Sequence, residues 1–142
     1  ITALHTGQLG LTKDGEQPPE LHEIISALED AIGIDATTGE LAWETEIFDY
    51  QVTPAGHSSG PIIANGKMIS GRSCRPRGGP ESCVVVAHDA QTGEELWRRR
   101  TIPGPGEPGN ESWGDVPFED RKHVGAWMVP SYDPKTKKVN EY

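Results

Sequence analysis

The feature that most constrains this chain is a nine-residue element that occurs twice. Asp35–Trp43 reads DATTGELAW and Asp89–Trp97 reads DAQTGEELW, so that Asp, Ala, Thr, Gly, Glu and Trp fall at the same places in both copies. The copies begin 54 residues apart, at positions 35 and 89. Propeller blades recur at about 40–50 residues, and a blade with one long loop accounts for this spacing. We therefore expect an all-β fold built from repeats, a partial β-propeller.

Each copy of this repeat element has the residues of a tight hairpin turn. The Asp accepts hydrogen bonds from the backbone ahead of it and starts the turn, and the Gly supplies the positive φ that closes it. The strand after the second turn carries Trp97, a large flat side chain suited to filling the gap between adjacent sheets. Two unrelated hairpins are the alternative, and the Trp shared at a fixed distance argues against them.

One complete blade can be numbered around the second copy. The two-residue turn Asn65-Gly66 is a strong hairpin signal. The four strands are predicted at 61–64, 67–70, 83–88 and 95–99, which makes a four-stranded antiparallel meander, the unit of a propeller. We divide the chain into the end of one blade (1–56), a full blade (57–100), a long inter-blade loop (101–126) and the start of the next blade (127–142).

Composition excludes several classes of protein. With 17 Gly and 12 Pro among 142 residues, many turns and few long helices are expected. The net charge of −9 argues against a nucleic-acid partner. There is no apolar run of transmembrane length. The sequence starts at Ile1 without the features of a signal peptide and ends at Tyr142 in a strand-like stretch, so we expect a fragment of a longer protein.

The meander topology sorts the loops by side. Turns after the first and third strands lie at one end of a blade, whereas the loop after the second strand and the links between blades lie at the other. The second end, which we call the loop face, therefore receives 55–59, 71–82 and the link that ends near Trp127. Because loops on a rigid scaffold are where binding usually resides, functional residues are expected on this face.

Two groups within the 71–82 loop leave alternatives open. Arg72, Arg75 and Arg77 gather positive charge in an acidic chain, either to hold an anionic ligand or as a solvated loop with salt bridges. Cys74 and Cys83 are either reduced thiols or a disulfide that closes the loop in an oxidising compartment, and we favour the disulfide.

The segments beside that loop carry weaker signals. Residues 102–117 read IPGPGEPGNESWGDVP, an irregular excursion in which Trp113 argues against a flexible linker. Arg98–Arg100 lie on an outer strand, where charges typically protect an edge. His57 stands beside Ser58 and Ser59, but the Gly-x-Ser-x-Gly elbow of a hydrolase is absent.

These segments together resemble the quinoprotein alcohol dehydrogenases that use pyrroloquinoline quinone (PQQ), in the methanol/ethanol dehydrogenase branch. In that family the repeats are tryptophan-docking elements of an eight-bladed propeller, of which this chain would form about two to three blades. The resemblance runs from about Ile34 onward through GPIIANGKMISG, VVVAHDAQTGEELWRRRTIPGPGEP, SWGDVPFEDR and WMVPSYDP, in that order.

The resemblance implies a periplasmic enzyme that transfers a hydride from a primary or secondary alcohol to PQQ. An Asp acts as base and a Ca²⁺ or lanthanide ion polarises the quinone oxygen. Electrons then pass to a cytochrome c or a quinone. The catalytic Asp is expected beyond the end of this sequence, and the chain on its own is expected to be inactive.

The resemblance also implies site residues. Trp127, six residues before Asp133, matches the Trp that forms the floor under PQQ, and core packing is the alternative for it. Ser58 is the nearest match to a residue that reaches the PQQ carboxylates, and Ser73 matches a residue that contacts PQQ. The family pattern Ser-Gly-Ala-Glu here reads Ser73-Cys74-Arg75-Pro76. Pro76 thus replaces the calcium-binding Glu, no metal ligand is identified, and Arg75 is a candidate charge partner for the carboxylates.

A non-enzymatic propeller of the same repeats, acting as a binding or assembly scaffold, is the alternative function. Such a scaffold needs neither a Trp under a cofactor nor long, chemically loaded loops on one face, and this sequence has both. A PQQ-repeat protein without its metal site is a third possibility, which Pro76 favours.

Overall fold

The computed structural model describes residues 2–4, 30–49, 51–56, 60–122 and 124–140. Antiparallel β-strands joined by turns and loops make up most of the ordered structure. The strands are β1 (Thr2–Leu4), β2 (Asp30–Ile34), β3 (Leu41–Glu46), β4 (Ala55–Gly56), β5 (Ile62–Ala64), β6 (Lys67–Gly71), β7 (Ser73–Cys74), β8 (Val84–Asp89), β9 (Glu95–Arg100), β10 (Ser131–Asp133) and β11 (Lys138–Asn140). Short 3₁₀ helices are η1 (Pro80–Ser82), η2 (Asn110–Trp113) and η3 (Phe118–Asp120).

The central unit is the predicted four-stranded meander. Its strands follow one another in the order β5-β6-β8-β9, and each pair is antiparallel. Asn65 and Gly66 both have positive φ, 50° and 75°, as the two-residue turn between β5 and β6 requires. The order β1-β2-β3 forms a second sheet before it, and β10-β11 forms a hairpin after it.

The two copies of the repeat element adopt the same turn. The carboxylate of Asp35 accepts backbone hydrogen bonds from Thr37 (2.7 Å) and Thr38 (3.1 Å). In the second copy, Asp89 accepts them from the backbone of residues 91 and 92 at 2.8 and 3.0 Å. These bonds favour the ionised carboxylate and lower the pKa of both aspartates. The turn chemistry read from the sequence is therefore present twice.

The two inner strands of the middle sheet, β6 and β8, are largely buried. One face of β6 and β8, with Met68, Val84 and Val86, packs against Trp43 and Ile47 of the first sheet and its exit. The opposite face buries a second cluster beneath β10, formed by Ala64, Ile69 and Ala87 with Ile62, Val85 and Tyr132. Sheets stacked face to face in chain order are the layering that a propeller predicts.

Trp43 joins the first sheet to the second. Its indole Nε1 donates a hydrogen bond to the carbonyl of Ala90 at 3.2 Å. The hydroxyl of Thr45 donates another to the carbonyl of Gly93 at 2.7 Å. A Cβ placed on Gly93 would lie 2.5 Å from the Trp43 ring, so this contact requires glycine. The Trp of the first copy thus packs on the turn of the second copy and fills the gap between the sheets.

Some elements were not anticipated from the sequence. The strand β1 lies within the first thirty residues, where no sequence pattern was identified. Its backbone pairs with that of β2. The two-residue strands β4 and β7 pair with each other at the loop face. The hairpin β10-β11 was expected as the first hairpin of a new blade, and it turns through Lys137, whose φ of 56° occupies the left-handed region.

Candidate functional site on the loop face

Three loop segments meet at the loop face of the middle sheet. Ala55 and Gly56 pair with Cys74 and Ser73, so that β4 lies alongside β7. On the other side, the backbone N–H of Ala126 donates to the carbonyl of Arg72 at 3.1 Å. The convergence expected from the meander topology is therefore present in the described residues, with β7 at its centre.

The loop that follows β7 is closed by a disulfide. Cys74 is bonded to Cys83, and their Cα atoms lie 4.6 Å apart. Within the loop, the backbone N–H of Arg75 donates to the hydroxyl of Ser82 at 3.2 Å. That hydroxyl donates in turn to the carbonyl of Gly79 at 2.8 Å. The favoured disulfide is thus present, and the 74–83 loop, as we call this segment, is held by covalent and internal hydrogen bonds.

The three arginines of this region have three different environments. Arg72 is fully buried, and its Nη1 donates to the hydroxyl of Ser70 at 3.1 Å and the carbonyl of Gly71 at 3.0 Å. Arg75 is exposed and lies across Gly56: a Cβ there would sit 2.7 Å from Arg75 Nε. Arg77 is exposed in the turn that follows. The solvated-loop interpretation is wrong for Arg72.

Trp127 lies next to this loop with much of its surface open. The preceding residue, Ala126, is buried and hydrogen bonded to Arg72, whereas Trp127 is 60% exposed. It belongs to neither apolar cluster of the described residues, which argues against the core-packing alternative. Met128 and Val129 after it are exposed as well. Three exposed apolar residues, of which Trp127 is the first, therefore follow one another in the segment beside β7.

Of the two serines predicted to contact the cofactor, the structure describes only Ser73. Ser73 is half-buried in β7, between the Gly56 backbone and Gly125, where a Cβ would lie 2.9 Å from Ser73 Cα. Ser58 lies outside the described residues. Ser73, Arg75 and Trp127 are therefore brought to one face by adjacent backbone segments.

The carboxylates of this region do not fit a metal site. Pro76, which stands where the family has its calcium-binding Glu, is exposed in a turn. The nearest acid, Glu81, accepts a hydrogen bond from Arg100 at 2.8 Å instead. Among the described residues, no group of three or more His, Cys, Asp or Glu side chains could hold a metal ion.

The excursion from 101 to 122 leaves and returns at one point. The Thr101 hydroxyl donates to the carbonyls of Cys83 and Val124, so both ends of the excursion are fastened beside the disulfide. Inside it, the buried Arg121 donates to the carbonyls of Pro103 (2.7 Å) and Val116 (3.1 Å). The excursion is therefore an ordered loop held by internal hydrogen bonds rather than a flexible linker, as the presence of Trp113 predicted. It delivers Trp127 back to β7.

Arg98 and Arg100 lie on β9, the outer strand of the middle sheet as expected, and they also make specific contacts. Arg98 donates to the carbonyl of Ile47 at 2.8 Å, and its guanidinium lies 4.6 Å from the centre of the Phe48 ring. Arg100 pairs with Glu107 at 2.6 Å as well as with Glu81. The hydrogen bonds that Arg100 donates to Glu107 and Glu81 raise the pKa of Arg100. These side chains fasten the preceding sheet and the excursion to β9.

His88 is a buried polar residue that the sequence did not single out. It is fully buried on β8, and its Nε2 lies 3.9 Å from a carboxylate oxygen of Glu95. Burial lowers the pKa of His88, the nearby Glu95 opposes that shift, and Arg72 and Arg98 reinforce it. A histidine directly before the Asp of the second copy occupies the place of Ile34 in the first, which offered no signal of its role.

Comparison with known proteins gives consistent relatives. The family model of the glucose/ethanol/alcohol dehydrogenase β-propeller domain, named for PQQ, matches residues 36–140. The chain is 36% identical over 120 residues to quinohemoprotein alcohol dehydrogenase ADH-IIG of Pseudomonas putida, covering 72% of this chain and 15% of that protein. It is 32% identical over 109 residues to the quinohemoprotein alcohol dehydrogenase of Comamonas testosteroni, covering 75% and 13%.

Solved structures agree with these relatives. The quinohemoprotein alcohol dehydrogenase ADHIIG from Pseudomonas putida HK5 superposes with a TM-score of 0.62 at 28% identity, covering 80% of this chain and 18% of that one. The Comamonas testosteroni enzyme gives a TM-score of 0.58 at 25% identity. The all-β partial-propeller fold is thereby confirmed. This chain spans about 15% of the length of the first relative, and in its described part no helix is long and apolar enough to cross a membrane.

Proposed function

The chain belongs to the glucose/ethanol/alcohol dehydrogenase β-propeller family, and from this premise we propose that it forms cofactor-facing blades of a PQQ-dependent alcohol dehydrogenase. The intact protein would transfer a hydride from a primary or secondary alcohol to PQQ. Its relatives are quinohemoprotein and quinoprotein alcohol dehydrogenases, which supports both the cofactor and a small alcohol as substrate.

The observation that carries this proposal is the convergence of Ser73, Arg75 and Trp127 on the loop face. The exposed indole of Trp127 offers a flat surface on which a planar quinone stacks. The Ser73 hydroxyl can donate a hydrogen bond to a carboxylate, and Arg75 supplies a fixed positive charge. Ser58, which the family resemblance also implies as a PQQ contact, lies outside the described residues.

When bound, PQQ supplies the electron-accepting quinone, and the residues of this chain bind and orient it. Trp127 would also exclude water from one side of the ring. No residue of this chain is assigned as catalytic base. A Ca²⁺ or lanthanide ion, as the family implies, would need its carboxylate ligands from elsewhere, because Pro76 and the Arg100-bound Glu81 do not provide them here.

The proposed setting is the periplasm, with a cytochrome c or a quinone as electron acceptor. The Cys74–Cys83 disulfide supports an oxidising compartment, since disulfides persist there and are rare in the cytosol. The quinohemoprotein names of the relatives, and one named a cytochrome c-linked hydroxylase, support a haem acceptor. A relative named 1-butanol dehydrogenase (quinone) supports the other acceptor.

Replacement of Trp127 tests this function in the full-length protein that contains this chain. We expect Trp127→Ala to weaken PQQ binding about tenfold or more, because stacking area and water exclusion are lost. PQQ affinity is measured by titration of the apoprotein, and alcohol-dependent dye reduction is measured on the loaded protein. Val129→Ala, at an exposed apolar residue two positions on, is the matched control and should change the affinity less than about twofold.

Two results would contradict the proposal. If the full-length protein binds no PQQ, the enzyme assignment fails. If Trp127→Ala binds PQQ as tightly as the wild type does, the loop-face site fails while the family assignment stands. The non-enzymatic scaffold is the second candidate function, whereas Pro76 in place of a metal-binding acid favours the third, a PQQ-repeat protein without its metal site. A folded full-length protein without PQQ affinity would support the scaffold.

A further inference from the structure

We propose that the 74–83 loop is a preorganised carboxylate-binding element in which the guanidinium of Arg75 provides the positive charge that a bound metal ion would otherwise supply. The proposal rests on the proposed function and deepens it. It assigns the recognition of the carboxylates of an anionic aromatic ligand to the guanidinium of this loop, and it assigns no metal ligand to the loop.

The charges of the loop support a cation supplied by the chain. The acid of the loop, Glu81, is turned towards Arg100 and held there at 2.8 Å. In the part of the chain that the structure describes, Arg75 forms no ion pair, although the chain carries a net charge of −9. An exposed guanidinium without an internal carboxylate partner is available to a carboxylate from outside. Its planar fork matches carboxylate geometry.

The position of Arg75 is fixed from three sides. Its backbone N–H donates to Ser82, and its carbonyl accepts from the N–H of Gly78 at 3.0 Å. The neighbouring Cys74 is covalently bound to Cys83. The side chain lies across Gly56, where the absence of a Cβ makes room for it. A cation that is held in place before the ligand arrives loses less conformational freedom on binding.

The neighbouring arginines are less suited to this role. Arg72 is fully buried and donates to Ser70 and Gly71, so its surface is not offered at the loop face. Arg77 is exposed in the turn beyond Pro76, farther along the chain from β7 than Arg75. Arg75 also neighbours β7, which carries Ser73, so hydroxyl and guanidinium can act on one ligand.

The test compares Arg75→Gln with Arg77→Gln in the full-length protein. Both substitutions remove one positive charge from the same loop, and Arg77→Gln is the matched control. We expect Arg75→Gln to weaken PQQ binding about tenfold or more and Arg77→Gln less than about twofold. The loss should be the same in EDTA and in added Ca²⁺. Equal effects of the two substitutions, or recovery of Arg75→Gln affinity in Ca²⁺, would overturn the proposal.

A second ligand separates this inference from the proposed function. Benzene-1,2,4-tricarboxylate carries aromatic carboxylates without a quinone, and its binding is measured by calorimetry with the same variants. If the protein binds this anion through Arg75 but binds no PQQ, the dehydrogenase assignment fails and the carboxylate element stands. If Arg75→Gln and Arg77→Gln bind it equally well, the carboxylate element fails whatever the PQQ result.

A double-mutant cycle tests the positioning. Gly56→Ala places a Cβ where it would lie 2.7 Å from Arg75 Nε, so the side chain must move. We expect this substitution to weaken PQQ binding about threefold or more when Arg75 is present and to have no effect in the Arg75→Gln background. Unfolding midpoints of all variants verify that they fold. An effect of Gly56→Ala that is the same in both backgrounds would show that Arg75 is not positioned by this contact.

Discussion

The two tryptophans of the repeat element occupy equivalent places in sequence but not in structure. Trp43 is 8% exposed, whereas Trp97 is 41% exposed. Trp43 packs on the turn of the second copy and bonds to Ala90. Trp97 instead lines an open groove that it shares with Ile69, Val85 and Val139. In the described part of the chain, no third copy of the turn lies against it.

This difference shows that the repeat element acts between blades rather than within one. The Trp of one copy packs on the turn of the copy that follows it, as Trp43 does on the turn at Ala90 and Gly93. Gly39 and Gly93 make the same point, since both have φ of 76°. A Cβ on Gly39 would meet nothing within 4 Å, whereas one on Gly93 would meet the Trp43 ring. The glycine of the first copy is therefore required only by the conformation of the turn. The glycine of the second copy is required by the turn and also by the close approach of Trp43.

The largest expected loss of stability comes from replacing the tryptophans of the repeat element. Trp43→Ala should destabilise the protein by about 3–5 kcal/mol, because a buried ring and its hydrogen bond are removed. Trp97→Ala should cost less in proportion to its greater exposure in this chain. Thermal unfolding of the two variants measures the difference. Equal losses would show that both tryptophans are buried to a similar degree in the protein under study.

The next largest loss of stability is expected from replacing the glycines of the two turns. Gly39→Ala should cost about 1–2 kcal/mol, the strain of a left-handed alanine. Gly93→Ala should cost more, because the same strain is joined by collision with Trp43. In a Trp43→Ala background the difference between the two alanine substitutions should become smaller, and the remainder is due to the Thr45 hydroxyl, which would lie 2.8 Å from the added Cβ. A difference that does not change when Trp43 is removed would contradict the contact between Gly93 and the Trp43 ring.

Much of this fold could be predicted because its signals are local. Asp, Thr and Gly at fixed offsets determine the turns, Asn65-Gly66 determines the first hairpin, and the disulfide follows from two cysteines that flank one loop. The pairing of β4 with β7 could not be predicted, because two-residue strands have no periodicity to detect. It arises from long-range backbone contacts that only the folded chain brings together.

The side chains of the site show the same limit. Convergence of the loop segments follows from meander topology, and so the neighbourhood of Ser73 and Trp127 was predictable. The burial of Arg72 and the role of Arg121 were not, because Arg72 is enclosed only once the chain has folded and Arg121 bonds to the distant carbonyl of Pro103. Nothing in the local sequence distinguishes such an arginine from an exposed one. The contacts of Arg98 with Ile47 and of Arg100 with Glu81 and Glu107 could not be read from the sequence for the same reason.

A smaller effect concerns the residue before each repeat Asp, which is Ile34 in one copy and His88 in the other. Burial holds the pKa of His88 below its ordinary value. Below about pH 6.5 the unfolded chain binds a proton that the folded protein rejects. Stability should therefore be fully present above that pH and should fall as pH decreases, with a slope of at most about 1.4 kcal/mol per pH unit.

The substitution His88→Ile, which copies the first repeat, is the test of this pH dependence. Unfolding midpoints of wild type and variant are compared between pH 7.5 and pH 5.5. The wild type should lose more stability on acidification than the variant does, since other titrating groups are common to both. Parallel pH profiles would show that Glu95 compensates the protonated ring in the folded state, against the direction inferred from its burial between Arg72 and Arg98.

The smallest effect isolates the second bond between the blades. Thr45→Val keeps the shape of the side chain and removes the hydroxyl that donates to the carbonyl of Gly93 at 2.7 Å. The expected loss is about 1 kcal/mol, the net value of one such hydrogen bond. Thr38→Val, at an exposed turn residue whose hydroxyl accepts from Glu40 at 3.2 Å, is the control and should cost less. If both substitutions have the same cost, the bond to Gly93 adds nothing beyond turn chemistry, and the blades are joined by Trp43 and the other contacts between the two sheets.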